Sequence, residues 1–220
     1  QVQRPSKGGA PPQVFSLRGA GARARLEPEP TLWKTERNSK PKGGWSTPII
    51  IKTGTRREIV LNGEFGVKGY DPSGGKELWF CKSFNGRGSP VPFYAHGLVY
   101  TVNGKPGDLY AVKPGGSGDV TKTRMAWHAK RKGGRDLPAP AVIGEYVMVT
   151  AMSGVTTSYD AKTGSDHWSE RLEGGFSGSP LIANGLYYIQ NEAGITYVLR
   201  PGKTLDVIAK NPLPAKPNEI

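Results

Sequence analysis

Cysteine, long apolar runs and helical periodicity are all scarce in this chain of 220 residues. Its one cysteine, Cys81, excludes an internal disulfide, and the apolar residues around it favour a buried, inert thiol. No apolar run approaches the roughly 18 residues that a membrane-spanning helix requires, so no such helix is expected. Short β-branched and aromatic runs, separated by Gly and Pro, are frequent instead. We therefore predict an all-β fold.

Acidic residues are also few in relation to basic ones. The chain has 30 Lys and Arg against 18 Asp and Glu, a formal net charge of +12. This charge is compatible with nucleic acid or another polyanion as a partner. The basic residues cluster only in part, at 34–42 and 122–135, and no aromatic-and-basic nucleic-acid motif accompanies them. Solvated loops and strand faces are the simpler explanation of the charge.

Tryptophan, by contrast, recurs at a regular spacing. Trp33, Trp79, Trp127 and Trp168 follow one another at intervals of 41 to 48 residues. Two of them end similar phrases, Gly-Tyr-Asp-Pro-Ser-Gly-Gly-Lys-Glu-Leu-Trp at 69–79 and Ser-Tyr-Asp-Ala-Lys-Thr-Gly-Ser-Asp-His-Trp at 158–168. Self-similarity at such a period indicates a repeat architecture in which one supersecondary unit packs against its copies.

Each repeat predicts four strands. A Gly-rich loop is followed by an apolar run, a hairpin turn, two further runs, a longer turn and a strand with the tryptophan. A four-stranded antiparallel unit of about 40–45 residues is typical of a β-propeller blade. We predict loosely ordered tails at 1–13 and 214–220 and a propeller over 14–213, with units at 14–42, 43–85, 86–132, 133–173 and 174–213.

The repeated phrase, Tyr-Asp-x-x-x-Gly-x-x-x-Trp, resembles the tryptophan-docking motif of the pyrroloquinoline-quinone-like (PQQ-like) β-propeller repeat family. The third copy keeps Ala111, but Lys113 replaces the aspartate and the turn before the tryptophan is longer. The last unit lacks its tryptophan. The resemblance implies that a docking ring wedges between neighbouring blades and meets the turn of the next one. The residues that it assigns to docking are Trp33, Asp71, Trp79, Trp127, Asp160 and Trp168.

The resemblance also raises the question of how the ring closes. Four to five blades are covered, whereas this family usually closes with seven or eight. The chain is therefore part of a longer ring, or its terminal strands complete each other's blade, or it associates with another copy through its unpaired edge blades. Gln1 stands first and no signal peptide follows it, so we expect a processed product or a fragment.

No catalytic or metal site is evident in the sequence. Some members of the family are quinoproteins that hold PQQ and calcium and oxidise alcohols or sugars, and others are cofactor-free interaction surfaces. A calcium site needs converging oxygen ligands, but no set of acidic residues here maps onto one. The three histidines fall at different blade positions, and no nucleophile elbow is present.

The loops that open the units are the best candidate for function. In a propeller they crowd around one mouth of the central channel, and we expect them to form a binding face from Trp45, Arg87, Arg135, Asp136 and Phe176. Trp45 is also the candidate to stack on a quinone, since quinoproteins lay a tryptophan against that ring. Alternatively, Trp45 and Phe176 plug the channel.

We therefore expect a non-catalytic binding or scaffold module without a cofactor, whose partner is an unidentified protein. The family resemblance implies a periplasmic or secreted location. The alternatives are a PQQ- and calcium-dependent quinoprotein dehydrogenase, or a fragment of one, and a basic module that binds a polyanion.

Overall fold

A computed structural model describes residues 31–36, 45–63, 65–83, 88–103, 107–131 and 137–214. Within these ranges the chain forms seventeen strands and one helix of four residues. The predicted tail at 1–13 and most of the first predicted unit, 14–42, lie outside the described residues, as does all but the first residue of the tail at 214–220. The unit boundaries stay predictions.

Sixteen of the strands form four antiparallel units of four, which we call blades 1 to 4, and β8 adds to the first of them. Blade 1 contains β1 (Ile49–Thr53), β2 (Arg56–Gly63), β3 (Gly66–Tyr70) and β4 (Glu77–Lys82). Blade 2 contains β5 (Phe93–Ala95), β6 (Leu98–Val102), β7 (Leu109–Val112) and β9 (Met125–Ala129). Blade 3 contains β10 (Ala141–Ile143), β11 (Tyr146–Thr150), β12 (Val155–Asp160) and β13 (Asp166–Arg171). Blade 4 contains β14 (Leu181–Ala183), β15 (Leu186–Gln190), β16 (Ile195–Arg200) and β17 (Asp206–Pro212).

Tight turns join the first two strands of each blade. In blade 4 the turn is Asn184-Gly185, with φ of 51° and 73°. Both residues lie in the left-handed region that a two-residue hairpin requires and that Asn and Gly adopt most easily. The strands that follow are rich in valine, isoleucine and tyrosine, which suit a half-buried pleated surface.

The hydrophobic core is divided into three layers, each between two consecutive blades. The layer between blades 2 and 3 combines Tyr100 and Leu109 of one sheet with Val147 and Tyr159 of the next. Equivalent layers separate blades 1 and 2 and blades 3 and 4. Every inner blade is therefore apolar on both faces, as the blades of a propeller must be.

In all four blades a β-bulge interrupts the pairing of the third strand with the fourth, near the start of the fourth strand. Just beside it, Trp79, Trp127 and Trp168 pair with the small residues Gly69, Ala111 and Ser158. A side-chain carbon at Gly69 would lie 2.2 Å from the Trp79 indole nitrogen, so the ring requires a small residue opposite it. In blade 4 the corresponding pair is Val198 and Ala209. Ala209 therefore occupies the position of the tryptophan that the last unit lacks.

Blade 2 carries an insertion between its third and fourth strands. The insertion forms β8 (Gly118–Asp119) and the short helix α1 (Thr121–Arg124), and β8 pairs in parallel with β4 of blade 1. Blade 1 therefore gains a fifth strand from its neighbour. This insertion is the longer turn that the sequence indicated before Trp127.

Candidate functional site

The loops of the blades lie on two opposite faces. One side carries the turns between the first and second strands and those between the third and fourth strands. We call this side the hairpin face. The opposite side, the loop face, carries the loops between second and third strands and those that open each blade. Backbone hydrogen bonds join loops of the same side: Ala161 N donates to Glu145 O on the hairpin face at 2.8 Å, and Glu192 N donates to Gly175 O on the loop face at 2.8 Å.

Three tryptophans contact turns of the hairpin face. The Trp127 indole N–H donates to Ala161 O at 3.1 Å, and that of Trp168 donates to Gly202 O at 3.0 Å, in each case on the next blade. The Trp33 indole N–H donates in the same way to Pro72 O of blade 1 at 3.0 Å. Each ring thereby links its own segment to the turn of a following sheet.

Two aspartates shape these turns. The Asp71 carboxylate accepts hydrogen bonds from the Ser73 backbone N–H at 2.8 Å and its hydroxyl at 2.7 Å, and these bonds lower the pKa of Asp71. The Asp160 carboxylate accepts equivalent bonds from Thr163, whose backbone N–H is the main cause of the lowered pKa of Asp160. Both carboxylates are thus bound within their own turns.

Trp79 has a different acceptor. Its indole N–H donates at 2.6 Å to the carboxylate of Glu58, a fully buried residue of its own blade. The other carboxylate oxygen of Glu58 accepts bonds from Thr53 and Arg56. The physical reason is the insertion in blade 2, where Lys113 replaces the aspartate and the chain leaves the turn to form β8.

On the loop face, Trp45 is the prominent side chain. It is 56% exposed, whereas Trp79 and Trp168 are buried and Trp33 and Trp127 are half-buried. Its backbone N–H donates to Gly88 O at 3.1 Å, which ties the loop that opens blade 1 to the loop that opens blade 2. The loops that open blades 3 and 4 are tied likewise, since Ala139 N donates to the Ser179 hydroxyl at 3.1 Å.

Phe176, another member of the expected binding face, is not brought to Trp45. The structure places Phe176 in the core between blades 3 and 4, fully buried and 6.0 Å from the ring of Tyr197. Its backbone N–H donates to Met152 O, which turns the loop so that the ring points inward. Phe176 therefore offers no exposed contact. Arg87, Arg135 and Asp136 lie outside the described residues.

Phe65 is an exposed aromatic residue that sequence reasoning missed. It is 37% exposed in the loop between β2 and β3 and has a φ of 68°, a conformation that aromatic residues rarely adopt. Gly88 packs against the backbone of Asn62 and Gly63 and so lies between Trp45 and the Phe65 loop. The signal in the sequence was an aromatic residue at position 65, between two short apolar runs, where a tight turn usually has Gly or Asn.

Carboxylates, histidines and the cysteine are the side chains that could hold a metal ion. Within the described ranges, no three His, Cys, Asp or Glu side chains are grouped closely enough to hold a metal ion. The carboxylates of Asp71 and Asp160 are bound in their turns. Burial and, to a lesser degree, Asp119 raise the pKa of Cys81 to about 11, so this thiol is protonated at neutral pH.

In the part of the chain that the structure describes, no helix has the length and apolarity to cross a membrane.

Four stacked sheets of four antiparallel strands define a β-propeller. Residues 119–204 match a PQQ-type family model described as outer membrane protein assembly factor BamB. This match confirms the predicted resemblance to the PQQ-like β-propeller repeat family. No curated protein sequence matches the chain.

Two solved structures share the fold. BamB from Moraxella catarrhalis is similar with a TM-score of 0.57 and 15% identity, over 82% of this chain and 54% of that one. The computationally designed protein Ika8 has a TM-score of 0.53 and 10% identity, over 69% and 44% of the two chains. A europium-containing methanol dehydrogenase has a TM-score of 0.45 and 14% identity, over 54% and 23%. The chain thus spans about half the length of the BamB chain.

Proposed function

We propose that the chain is a non-catalytic binding module that contacts a protein partner through its loop face. The observation that carries this proposal is the exposure of Trp45. Trp45 lies on the loop face with 56% of its surface exposed, whereas Trp79 and Trp168 are buried and Trp33 and Trp127 are half-buried. Exposed tryptophans are enriched among the residues that dominate binding energy in protein interfaces.

The surroundings of Trp45 support the same role. Gly88 joins the loop of Trp45 to the loop of blade 2 and packs on the turn that carries Phe65, so two exposed aromatic residues stand on connected backbone. Side chains held on connected backbone lose less conformational entropy on binding than side chains on a free loop. The positive φ of Phe65 is a strained conformation of the kind that occurs at binding sites.

The comparisons with known proteins support a protein as the partner. The matching family model is described as an outer membrane protein assembly factor, and a protein of that description works with other proteins. We therefore propose a periplasmic or secreted location. That the module works without PQQ or calcium is part of the same proposal. The whole protein's partners stay part of this proposal, because the chain spans about half of the BamB structure.

Site-specific photocrosslinking tests the loop face directly. A photoreactive phenylalanine analogue at position 45 is expected to capture a protein in cells, whereas the same analogue at Thr55, an exposed residue of the hairpin face, is expected to capture none. With the crosslinker at Phe65, Trp45→Ala is expected to lower the yield at least tenfold, because it removes the aromatic anchor. Equal capture from positions 45 and 55 would contradict the proposal.

A titration with PQQ, with and without calcium, separates this proposal from the quinoprotein alternative. We expect no saturable quenching of tryptophan fluorescence and no shift in the melting temperature. Calcium-dependent quenching that disappears in Trp45→Ala would instead assign Trp45 to a cofactor site.

A further inference from the structure

Two departures from the repeated blade pattern bring basic residues to the same part of the hairpin face. The first strand of blade 1 has five residues, whereas those of blades 2, 3 and 4 have three each. The longer hairpin continues past the end of the third strand and carries Lys52, Arg56 and Arg57, all of them exposed. The second departure is the insertion of blade 2, which opens with the exposed Lys113 in place of the turn aspartate.

The long hairpin and the insertion meet at Gly115, a buried residue with a φ of 88°. A side-chain carbon at Gly115 would lie 3.7 Å from Arg124 Nη1 and 4.0 Å from Arg56 Nη2. Gly116 is needed for this approach, because a side-chain carbon there would lie 2.7 Å from Arg124 Nε. Two guanidinium groups from different blades therefore flank one glycine. We call Arg56, Lys113, Gly115 and Arg124 the arginine site.

Positive charge exceeds negative charge at the arginine site. Glu58 is the carboxylate beside it, and the hydrogen bonds described above already occupy both of its oxygens. Arg56 pairs with Glu58 at 2.6 Å and still has 45% of its side-chain surface exposed. Arg124 donates to a neutral acceptor, Pro114 O, at 3.0 Å and forms no ion pair with a carboxylate of the described residues. The charges of Arg124 and Lys113 are therefore in surplus.

The rest of the hairpin face does not share this surplus. The turns of blades 3 and 4 carry three basic and four acidic residues: Lys162, Arg200 and Lys203 against Glu145, Asp160, Asp166 and Asp206. The turns of blades 1 and 2, with the insertion, carry seven basic and four acidic residues: Lys52, Arg56, Arg57, Lys76, Lys113, Lys122 and Arg124 against Glu58, Asp71, Glu77 and Asp119. Such a local excess of one sign attracts anions.

We infer that the arginine site binds a phosphate monoester, carried by a soluble molecule or by a lipid headgroup. The planar guanidinium group matches the oxygens of phosphate in a bidentate manner. A phosphate monoester presents three acceptor oxygens and nearly two negative charges, so two guanidinium groups can share it and its charge offsets the surplus of the site. This inference is independent of the protein contact proposed for the loop face, because it concerns the opposite face.

Titration of the full chain with inorganic phosphate, followed by two-dimensional nuclear magnetic resonance, tests this inference. The Nε–Hε signals of Arg56 and Arg124 and the amide signal of Gly115 are expected to shift and saturate, whereas chloride at equal ionic strength leaves them unchanged. Arg124→Gln is expected to weaken binding by about tenfold or more, because it removes charged hydrogen bonds. Arg200→Gln is the matched control: Arg200 is an exposed arginine on the hairpin face of blade 4, and its replacement is expected to leave binding unchanged.

A second variant and two further ligands complete the test. Lys113→Asp reverses one charge at an exposed position and is expected to weaken binding without lowering the urea midpoint of unfolding. Binding of glycerol phosphate alone would assign the site to a soluble ester. Binding to phosphatidic acid vesicles, but not to phosphatidylcholine vesicles, that is lost in Arg124→Gln would assign it to a lipid headgroup. No saturable shift with phosphate or either ester, or binding that Arg124→Gln and Lys113→Asp both leave intact, would overturn the inference.

Discussion

At the scale of single residues, the five tryptophans show how position decides the role of one side chain. Trp33, Trp127 and Trp168 donate to backbone carbonyls of a neighbouring turn, Trp79 donates to the buried carboxylate of Glu58, and Trp45 stands 56% exposed. A buried indole N–H without an acceptor would cost about 1–3 kcal/mol, which explains why each buried ring has one.

Replacing Trp168 and Trp45 with alanine should separate these roles. Trp168→Ala is expected to lower the free energy of unfolding by about 3–5 kcal/mol, because it leaves a cavity between blades 3 and 4 and removes the bond to Gly202. Trp45→Ala is the matched control and should stay within about 0.5 kcal/mol of the parent. Urea unfolding followed by circular dichroism measures both, and equal losses would refute the distinction.

The sequence predicted part of this difference between the roles of the aromatic residues. The spacing of the tryptophans and the Asp–Gly turns correctly predicted repeated four-stranded units. It did not predict that Trp79 would meet Glu58, because that contact depends on the path of an insertion in the next blade. Phe176 was expected at the mouth of the channel, in a binding face or as a plug, because it lies in a loop that opens a unit. Its burial between blades 3 and 4 follows from the inward turn of that loop, a tertiary effect that local composition does not encode. Arg87, Arg135 and Asp136 remain predictions.

At the scale of elements, the turns between third and fourth strands join one blade to the previous one. Gly164 has a φ of 75°, and a side-chain carbon there would lie 2.5 Å from the ring of Trp127. The turn thus needs glycine for its backbone and for the approach of the ring. In the hairpin turn of blade 4, Gly185 has a φ of 73° with no atom within 4 Å of such a carbon.

These two glycines allow the contact with the ring to be measured by itself. Gly185→Ala should cost about 1–2 kcal/mol, the strain of a left-handed alanine. Gly164→Ala carries the same strain and must also displace Trp127, which adds about 1–3 kcal/mol. The difference in unfolding free energy between the two variants reports the close contact, and no difference would mean that the ring moves aside freely.

At the scale of the whole molecule, stability is distributed over layers between blades. Trp127 packs in the layer between blades 2 and 3, and Trp168 in the layer between blades 3 and 4. In repeat proteins, stability is approximately a sum of unit terms and terms between neighbours. The architecture was predictable from the sequence because each unit repeats the same pattern, whereas ring closure depends on surfaces that no repeat specifies.

The double variant Trp127→Ala/Trp168→Ala tests whether these layers are independent. Its loss of unfolding free energy should equal the sum of the two single losses within about 0.5 kcal/mol, since the rings lie in separate layers. Guanidinium unfolding of the four proteins completes the cycle. A deviation well beyond this value would show that blade 3 transmits strain from one layer to the other.

Because β8 belongs to the turn of blade 2, blade 1 depends on blade 2 for its outermost strand while the chain is being synthesised. The outer edge of β4 is paired by residues 118–119, which lie in the turn of blade 2. As the chain leaves the ribosome, blade 1 can assemble its own four strands while this edge is still open, and the edge closes only after more than thirty further residues have been made. An open strand edge is a site for pairing with other chains, so blade 1 is most prone to aggregation in this interval and is protected once blade 2 folds beside it.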